Sequence, residues 1–433
     1  MQLKNQKLVA IKSIGCRLNI SEAGTFAKAF EEDGHLIVPF GQKADVILIN
    51  TCTVTERAEA TCRNLIRKAR KSSPDAKIIV AGCYAQTSSD DEVITSERVD
   101  LVLGSFEKSR VFDYLVEIER EQKRLVRVSR SDEFFSSATS SAEGHTRAFL
   151  KIQDGCNYVC SYCIIPRARG CSRILPISDV LNEAGKLVDG GFKEIILTGV
   201  NIGEYKTDDG KNLYHLVEKL VELNGLERIR ISSVEPNTIT DELLSMMKES
   251  KKCMNHFHLP LQSGDDEILG LMRRKYTAQD YVKIVEKVKK YFPHAGIGAD
   301  VIVGFPGEER IHYENTKSLI EKLPITHLHV FPFSRRKGTT AWNMEDTVHS
   351  LEKKERVQDL ISLGEKKLNK FALGILESSG RVLFEKRDQD GYFGGYTSNY
   401  LRVKVKTDRN LKNSIEDVYF TNVENGVLYG EIT

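Results

Sequence analysis

The first part of the chain alternates short apolar runs with stretches of helical spacing. The apolar runs occupy residues 8–14, 46–49 and 77–81, and the helical stretches occupy 21–32 and 55–71. Strands that alternate with helices predict a parallel, doubly wound sheet. A Ser- and Ala-rich run at 136–145 follows and predicts a linker or hinge.

A second and longer alternation of strands and helices begins near residue 149. The predicted strands are 149–152, 194–197, 228–232, 256–259, 298–303 and 327–331. The predicted helices are 179–189, 212–223, 241–248, 278–291 and 312–322, and a charged helix at 350–371 closes the segment. Six successive βα units predict a complete or partial barrel.

The last segment changes to period-2 alternation. Residues 381–385, 400–406, 418–423 and 427–431 alternate apolar with polar side chains and predict a small antiparallel barrel. The fold class is therefore α/β with an added β-domain. The predicted domains are a doubly wound α/β domain at 1–130, a linker at 131–145, a partial (βα)6 barrel at 146–371 and a β-barrel at 372–433.

Composition narrows the class of protein. The 433 residues carry 63 Lys+Arg and 61 Asp+Glu, a net charge of +2 that excludes a histone-like binder. No run approaches the roughly 18 apolar residues of a membrane span, and the N-terminal stretch is not an apolar leader, so we expect a cytoplasmic protein. The nine cysteines are then reduced thiols that either pack as small apolar groups or bind metal.

Three cysteines form a C-x3-C-x2-C motif directly after the first predicted barrel strand. Cys156, Cys160 and Cys163 therefore lie at the carboxyl-end mouth of the barrel, where barrel enzymes place their chemistry. A zinc site would use four ligands, and no fourth Cys or His follows at zinc spacing. Three thiolates fit a [4Fe–4S] cluster with one iron open to a small molecule. Three structural cysteines are the disfavoured alternative.

A second set of three cysteines is spread along the N-terminal domain. Cys16, Cys52 and Cys83 each follow an apolar strand, in IKSIGC, ILINTC and IIVAGC. Carboxyl ends of parallel strands meet at one edge, so the three thiols should converge on a second iron–sulfur cluster. Three buried small residues remain the alternative reading. The other cysteines are expected to be buried or partly buried structural thiols: Cys62, Cys171 and Cys253.

Polar and glycine residues end the successive barrel strands on the same side as the C-x3-C-x2-C motif. Glycine permits close approach to a ligand, and an arginine can pair with a carboxylate in bidentate fashion. Such residues also serve as helix caps, which is the alternative reading. The candidate cofactor contacts are Gly199, Asn201, Ser233, Glu235, Gln262, Arg274 and Asp300. No general acid or base is assigned beyond the cluster ligands.

The C-x3-C-x2-C motif, with Tyr162 before its last cysteine, resembles that of the radical S-adenosylmethionine enzymes. The resemblance implies that S-adenosylmethionine binds the open iron and that Tyr162 belongs to the cofactor site. It also implies one-electron cleavage of the cofactor to a 5′-deoxyadenosyl radical, while the protein orients the cofactor and excludes side reactions.

The two cysteine sets and the C-terminal β-domain together resemble the methylthiotransferases over essentially the whole chain. The matching stretches are INTC, AGC and DGCNYVCSYCIIPRARG; Ser161 and Arg167 depart from the usual CTYCIIPYARG without affecting a ligand. The resemblance implies a methylthiotransferase domain, a radical barrel and a TRAM domain that docks nucleic acid. It further implies two [4Fe–4S] clusters, one that handles the inserted sulfur and one that generates the radical, and a second S-adenosylmethionine as methyl donor.

Members of this family act on three substrates: isopentenyladenosine or threonylcarbamoyladenosine next to the tRNA anticodon, or an aspartate of a ribosomal protein. The stretches KIQDGCN and LTGVNIGEY look most like the threonylcarbamoyladenosine group, which implies methylthiolation at adenine C2. The other two substrates are the alternatives within the family. A non-catalytic RNA-binding iron–sulfur redox protein is the alternative of another class, but a pure electron carrier has no use for an open iron.

Basic residues occur in patterns that suit RNA, although such runs are usually solvated faces. Arg402, Lys404 and Lys406 alternate with apolar residues, so one strand face would present all three to phosphates. Arg63 and Arg67, with Arg70 and Lys71, lie on one face of a helix, and Arg167, Arg169 and Arg173 follow the cysteine motif. The expected partners are the tRNA anticodon stem-loop and an electron donor such as flavodoxin or ferredoxin, with the protein a monomer.

Overall fold

The computed structural model describes residues 6–95, 99–131, 133–139 and 146–433. The chain divides into two compact units. The first comprises residues 1–183, 198–201 and 334–342, and the second comprises 184–197, 202–333 and 343–433. Part of the predicted linker, residues 132 and 140–145, lies outside the described residues. The predicted domain boundaries stay predictions.

The N-terminal domain is a six-stranded parallel sheet with the order β2-β1-β3-β4-β5-β6. Its strands are β1 (Leu8–Ser13), β2 (Leu36–Val38), β3 (Val46–Thr51), β4 (Lys77–Gly82), β5 (Leu101–Leu103) and β6 (Leu125–Arg127). Its helices are α1 (Arg17–Glu32), α2 (Glu56–Ser72), α3 (Cys83–Thr87), α4 (Glu92–Thr95) and α5 (Val111–Glu121). The predicted doubly wound sheet is confirmed. The strands absent from the prediction, β2, β5 and β6, have three residues each, too few to show a period.

Apolar layers cover both faces of this sheet. Ile47 and Ile49 of β3 pack in one cluster with Cys62 of α2. Val46 and Leu48 pack in the opposite cluster with side chains of α1 and α5. A strand that is buried on both faces reads as a continuous apolar run, which is why β3 was predictable. Cys62 is fully buried and is the structural thiol expected.

The second alternation also forms as predicted. Its strands are β7 (Arg147–Lys151), β8 (Gln153–Asp154), β9 (Arg173–Ile174), β10 (Glu194–Thr198), β11 (Arg228–Ile231), β12 (His256–His258), β13 (Gly296–Val303) and β14 (His327–Pro332). Its helices are α6 (Ile165–Arg169), α7 (Ile177–Asp189), α8 (Leu213–Val221), α9 (Asp241–Glu249), α10 (Asp266–Leu271), α11 (Ala278–Tyr291), α12 (Arg310–Lys322) and α13 (Ser350–Leu373). All six predicted barrel strands are present, and the fold is a partial α/β barrel.

Parallel pairing aligns the strand ends inside the second unit. β10 pairs with β11, and β13 pairs with both β12 and β14, in each case parallel. A bridge between Ser233 and His258 connects the two groups of strands. Side-chain caps start the helices: Thr240 caps α9, Asp265 caps α10 and Thr277 caps α11.

The C-terminal domain is a closed barrel with the order β15-β16-β17-β19-β18. Its strands are β15 (Ser379–Arg387), β16 (Tyr392–Thr397), β17 (Arg402–Lys406), β18 (Ile415–Glu424) and β19 (Val427–Ile432). The pair β17–β19 is parallel, and the other four pairs are antiparallel. The strand β16 was not predicted because Gly394 and Gly395 weaken a strand pattern. A Cβ at position 395 would lie 2.6 Å from the carbonyl oxygen of Leu383, so the pairing requires glycine there.

A buried arginine joins the C-terminal barrel to the strands of the second unit. Arg230 donates to the Glu194 carboxylate at 2.7 Å and to the carbonyl oxygens of Thr397 and Ser398 at 3.2 and 3.0 Å. The Tyr400 ring lies 4.8 Å from the guanidinium. The C-terminal barrel therefore shares a buried polar interface with β10 and β11.

Candidate functional site

Cys16, Cys52 and Cys83 all lie at the carboxyl ends of neighbouring parallel strands. Cys16 is the N-cap of α1, Cys52 directly follows β3, and Cys83 is the first residue of α3. The strands that precede them, β1, β3 and β4, are adjacent in the sheet. The structure thus brings all three cysteines to one edge, as the sequence predicted.

Two glycines allow the chain to close around these cysteines. Gly15 has φ +111°, and a Cβ there would lie 2.7 Å from Cys52 Cβ and 2.9 Å from Cys52 Sγ. Gly82 has φ +103°, and a Cβ there would lie 2.8 Å from the Asn50 side-chain oxygen. A side chain at either position would be strained and would clash. Glycine is therefore required before Cys16, where the loop approaches Cys52, and before Cys83, where the chain approaches Asn50.

Burial also determines the protonation of the Cys52 thiol. Cys52 and Cys83 are buried, whereas Cys16 is exposed. Burial, together with the neighbouring Cys83 and Cys16 thiols, raises the pKa of Cys52 to about 12. Because the thiolate is the form that binds metal, metal uptake at this edge would release protons.

Cys156, Cys160 and Cys163 lie on the loop between β8 and α6, and all three are half-buried. Gln153 fixes the neighbouring loop, because its side-chain oxygen accepts from the backbone N–H groups of Val200 and Asn201 at 2.8 and 2.9 Å. The Asn201 side-chain nitrogen donates to Cys156 Sγ at 3.9 Å. The Asn201 side-chain oxygen is buried without a hydrogen-bond partner among the described residues. A buried acceptor of this kind, beside a cysteine ligand candidate, fits a site that receives a bound molecule.

The predicted cofactor contacts divide between the two units. Tyr162, Gly199 and Asn201 belong to the first unit, and the remaining five belong to the second. Within the second unit Glu235 and Arg274 form an ion pair. Burial raises the pKa of Glu235, and Arg274 opposes that rise. Gln262 adopts φ +65° and its backbone N–H donates to the Asp300 carbonyl oxygen at 2.8 Å; Ser233 is half-buried.

Asp300 lies between two histidines on the neighbouring strands. Its carboxylate contacts His258 Nε2 at 3.0 Å and His329 Nδ1 at 3.1 Å. Burial disfavours the charged form of Asp300, but the hydrogen bonds from the two imidazoles hold its pKa well below the usual range. Asp300 is therefore an ionised hydrogen-bond acceptor rather than an acid at neutral pH.

Sequence reasoning missed a buried cluster of charges in the first unit. The Glu22 carboxylate contacts Lys108 Nζ at 2.5 Å, Lys151 Nζ at 3.3 Å and Arg169 Nη1 at 3.0 Å. Asp154 contacts Lys151 at 3.1 Å and Arg169 at 2.9 Å. All five side chains are at most 6% exposed. We call Glu22, Lys108, Lys151, Asp154 and Arg169 the buried charge cluster.

Arg169 was grouped from the sequence with residues that could contact RNA. The structure contradicts this for Arg169, whose side chain is 1% exposed and engaged inside the buried charge cluster. The prediction that Cys171 is buried or partly buried was also wrong. Cys171 is exposed, because it follows Gly170 on a surface bend. Cys253 is buried, as expected.

The predicted alternation of β17 is confirmed. Arg402 and Lys406 are exposed and Lys404 is half-buried, while Val403 and Val405 are buried. Lys404 donates to Asp388 at 2.9 Å.

On α2, Arg67 is exposed, and Arg63 pairs with Asp91 at 3.5 Å. Arg70 is engaged with Asp100 at 3.0 Å. The basic face of α2 is thus smaller than the sequence indicated. None of the described helices is long and apolar enough to cross a bilayer.

Comparisons with known proteins agree with this architecture. Residues 150–320 match the family model described as Radical SAM superfamily, and residues 8–104 match the one described as Uncharacterized protein family UPF0004. The structure of a radical S-adenosylmethionine methyltransferase, TsrM from Kitasatospora setae, matches with a TM-score of 0.56 at 14% identity, over 76% of this chain and 72% of that one. That likeness concerns the fold. The fold and the family models define the class, a radical S-adenosylmethionine enzyme.

Curated relatives match over most of their length. Threonylcarbamoyladenosine tRNA methylthiotransferase MtaB from Bacillus subtilis is 38% identical over 95% of this chain and 93% of its own. The protein of the same name from Aquifex aeolicus is 37% identical over 84% and 89%. A tRNA-2-methylthio-N(6)-dimethylallyladenosine synthase from Natranaerobius thermophilus is 32% identical over 100% and 98%. The chain belongs to the methylthiotransferase family, and membership implies S-adenosylmethionine and a [4Fe–4S] cluster as cofactors.

The buried charge cluster makes a prediction about stability. Glu22→Gln leaves buried cations without their carboxylate, so we expect the free energy of unfolding at pH 7 to fall by about 3–5 kcal/mol in denaturant titrations. Attraction to Arg169, Lys108 and Lys151 overcomes burial and holds the pKa of Glu22 well below its ordinary value. Its contribution is therefore complete at neutral pH and is lost as pH falls below about 4.

The matched control is Glu32→Gln, on the same helix. Glu32 is 68% exposed and 3.7 Å from Lys28, so its loss should change stability by less than about 0.5 kcal/mol. Equal losses of unfolding free energy in the two variants would contradict the role of Glu22 in the buried charge cluster. A difference in unfolding free energy between wild type and Glu22→Gln that does not become smaller at acidic pH would contradict it as well.

Proposed function

We propose that this enzyme converts N6-threonylcarbamoyladenosine next to the anticodon of tRNA to its 2-methylthio derivative. The observation that carries the proposal is the near full-length likeness to relatives named for this reaction, which are 34–38% identical in Bacillus, Aquifex, Thermotoga and Rickettsia. Relatives named for the dimethylallyladenosine reaction are 32% identical, which keeps that substrate as the second candidate.

In this proposal Cys156, Cys160 and Cys163 hold the cluster of the radical step. When bound, this cluster supplies the electron that cleaves S-adenosylmethionine to a 5′-deoxyadenosyl radical. The residues present fit such a group, because the half-buried loop offers three thiols. Asn201, whose side-chain nitrogen contacts Cys156, also carries a buried oxygen that has no hydrogen-bond partner among the described residues. Tyr162, Gly199, Ser233, Gln262, the Glu235–Arg274 pair and Asp300 are proposed to orient the cofactor.

Cys16, Cys52 and Cys83 are proposed to hold a second [4Fe–4S] cluster, which carries the sulfur to be inserted. The support is their convergence at the edge of the sheet and the two glycines that permit it. Three thiolates satisfy three irons of such a cluster and leave the fourth for another ligand. Because tRNA is the proposed substrate, we place the enzyme in the cytoplasm. We further propose that it is a monomer and that a flavodoxin or a ferredoxin reduces it.

A glycine substitution tests the second cluster. Gly15→Ala places a Cβ 2.7 Å from Cys52 Cβ, so we expect the anaerobically reconstituted protein to lose about half of its cluster iron and sulfide. The measurement is iron and sulfide content together with the electron paramagnetic resonance spectrum of the reduced protein. The signal of the remaining cluster should persist.

Gly34→Ala is the control for the backbone effect. Gly34 also has positive φ, at +88°, but a Cβ there meets nothing within 4 Å. This variant should keep both clusters. Full iron content in Gly15→Ala, or equal losses in the two variants, would argue against a cluster at Cys52.

The substrate is tested with reconstituted enzyme, a chemical reductant, S-adenosylmethionine and tRNA that carries threonylcarbamoyladenosine. Mass spectrometry of the digested tRNA should show the 2-methylthio nucleoside, and Cys160→Ala should abolish it together with 5′-deoxyadenosine. Turnover only on isopentenyladenosine tRNA, or only on the ribosomal protein aspartate, would transfer the assignment to that substrate. Two clusters without any 5′-deoxyadenosine would favour the non-catalytic redox protein.

The β17 face is the proposed tRNA contact of the C-terminal barrel. Replacing Arg402 and Lys406 together with alanine should weaken tRNA binding and lower the slope of log K against log salt by about one for each lost phosphate contact. Filter binding across a salt series measures both quantities. Arg409→Ala, an exposed arginine that pairs with Glu416 at 3.5 Å, is the matched control. An unchanged slope in the double variant would remove β17 from the interface.

A further inference from the structure

Arg169 uses its whole guanidinium inside the first unit. Its Nε donates to Cys83 Sγ at 3.2 Å, and its Nη1 donates to Glu22 at 3.0 Å and Asp154 at 2.9 Å. Its Nη2 donates to the Asn19 side-chain oxygen at 2.9 Å. A planar guanidinium presents its donors in a fixed fork, so these four partners are held in one geometry.

Asn19 extends this arrangement to Cys16 and Cys52. Its side-chain nitrogen donates to the carbonyl oxygens of Ile14 and Thr51, at 2.8 and 2.9 Å. These carbonyls lie two residues before Cys16 and directly before Cys52. The Asn19 oxygen also accepts from Cys16 Sγ at 3.4 Å. Asn19 therefore ties the two loops together, and Arg169 fixes the side chain of Asn19.

Asp154 extends the same arrangement toward the loop of Cys156, Cys160 and Cys163. It lies two residues before Cys156, and its carboxylate also accepts from the Gly155 backbone N–H at 2.9 Å. Arg169 itself ends α6, the helix that follows the cysteine loop. The Arg169 side chain thus contacts Cys83 and also Asp154 on the N-terminal side of the Cys156 loop, while Arg169 itself ends the helix on the C-terminal side of that loop.

The charges of the buried cluster do not balance among themselves. Three cations, Lys108, Lys151 and Arg169, face two carboxylates, Glu22 and Asp154. An excess buried positive charge is costly unless an anion lies nearby. Thiolate sulfur is such an anion, and Arg169 contacts Cys83 directly. Hydrogen bonds to cluster sulfurs and the local net charge are the main protein influences on the reduction potential.

We propose that Arg169 is a positioning residue that sets the reduction potential of the cluster at Cys16, Cys52 and Cys83 and couples that cluster to the loop of Cys156. The inference rests on the proposed second cluster. Arg169 stabilises the reduced, more negative form of the cluster through its N–H···S bond and its charge, and Asp154 moderates that effect. Arg169 takes no part in binding RNA.

The test is a redox titration of the reconstituted full-length protein, followed by electron paramagnetic resonance. Arg169→Gln removes the sulfur hydrogen bond and one positive charge, so the midpoint potential of the second cluster should shift to more negative values. Asp154→Asn removes a negative charge, so that potential should shift in the opposite direction. Arg169→Lys retains the charge and should restore part of the shift.

Arg230→Gln is the matched control, because Arg230 is an equally buried arginine on a carboxylate, and its hydrogen-bond partners are Glu194 and backbone carbonyls of the second unit. The midpoint potentials of both clusters in the Arg230→Gln variant should equal those of wild type. If the potential of the second cluster is unchanged in both Arg169→Gln and Asp154→Asn, the inference is overturned. The proposed function would still stand in that case, provided that the wild-type protein holds two clusters. If Arg169→Gln loses the cluster, Asp154→Asn decides alone: a positive shift supports the inference, and no shift overturns it. A single cluster in wild type would refute the second cluster itself.

Discussion

The buried charge cluster around Glu22 is the interaction on which the candidate site depends. Charged side chains enter a protein interior only when each one finds a partner, and here the partners come from four distant parts of the chain. Glu22 lies on α1, Lys108 lies before α5, Lys151 ends β7 and Arg169 ends α6. Their pairing therefore fixes the N-terminal sheet against the segment that carries the Cys156 loop. Arg169 of this cluster contacts Cys83, and Asp154 lies two residues before Cys156.

The second constraint on the candidate site is the close approach of the loops that carry Cys16, Cys52 and Cys83. The edge of the parallel sheet provides three neighbouring strand ends, but the loops reach one another only where Gly15 and Gly82 remove a Cβ. Burial raises the pKa of the Cys52 thiol to about 12, so this thiol is neutral at neutral pH when nothing is bound to it. The sheet edge and the two glycines together hold Cys16, Cys52 and Cys83, the residues proposed to bind the second cluster.

The sequence predicted most of the architecture where a local period was long enough to be read. Apolar runs such as β3 and amphipathic helices such as α11 were found within a few residues of their observed ends. The short strands β2, β5 and β6 have too few residues to show a period. Two glycines obscured the strand β16, and one of them, Gly395, is required by a close contact with β15, a neighbour that no local pattern reveals.

By itself, the sequence determined the parallel sheet, the barrel, the β-domain and the positions of two cysteine sets, because local periodicity and motif spacing encode them. Only the tertiary structure decided the environment of the charges. Arg169 stands in a basic stretch that reads as surface, and Glu22 and Lys108 are 86 residues apart. Whether a charge faces solvent or a buried partner depends on long-range packing, which the spacing of residues along the sequence does not indicate.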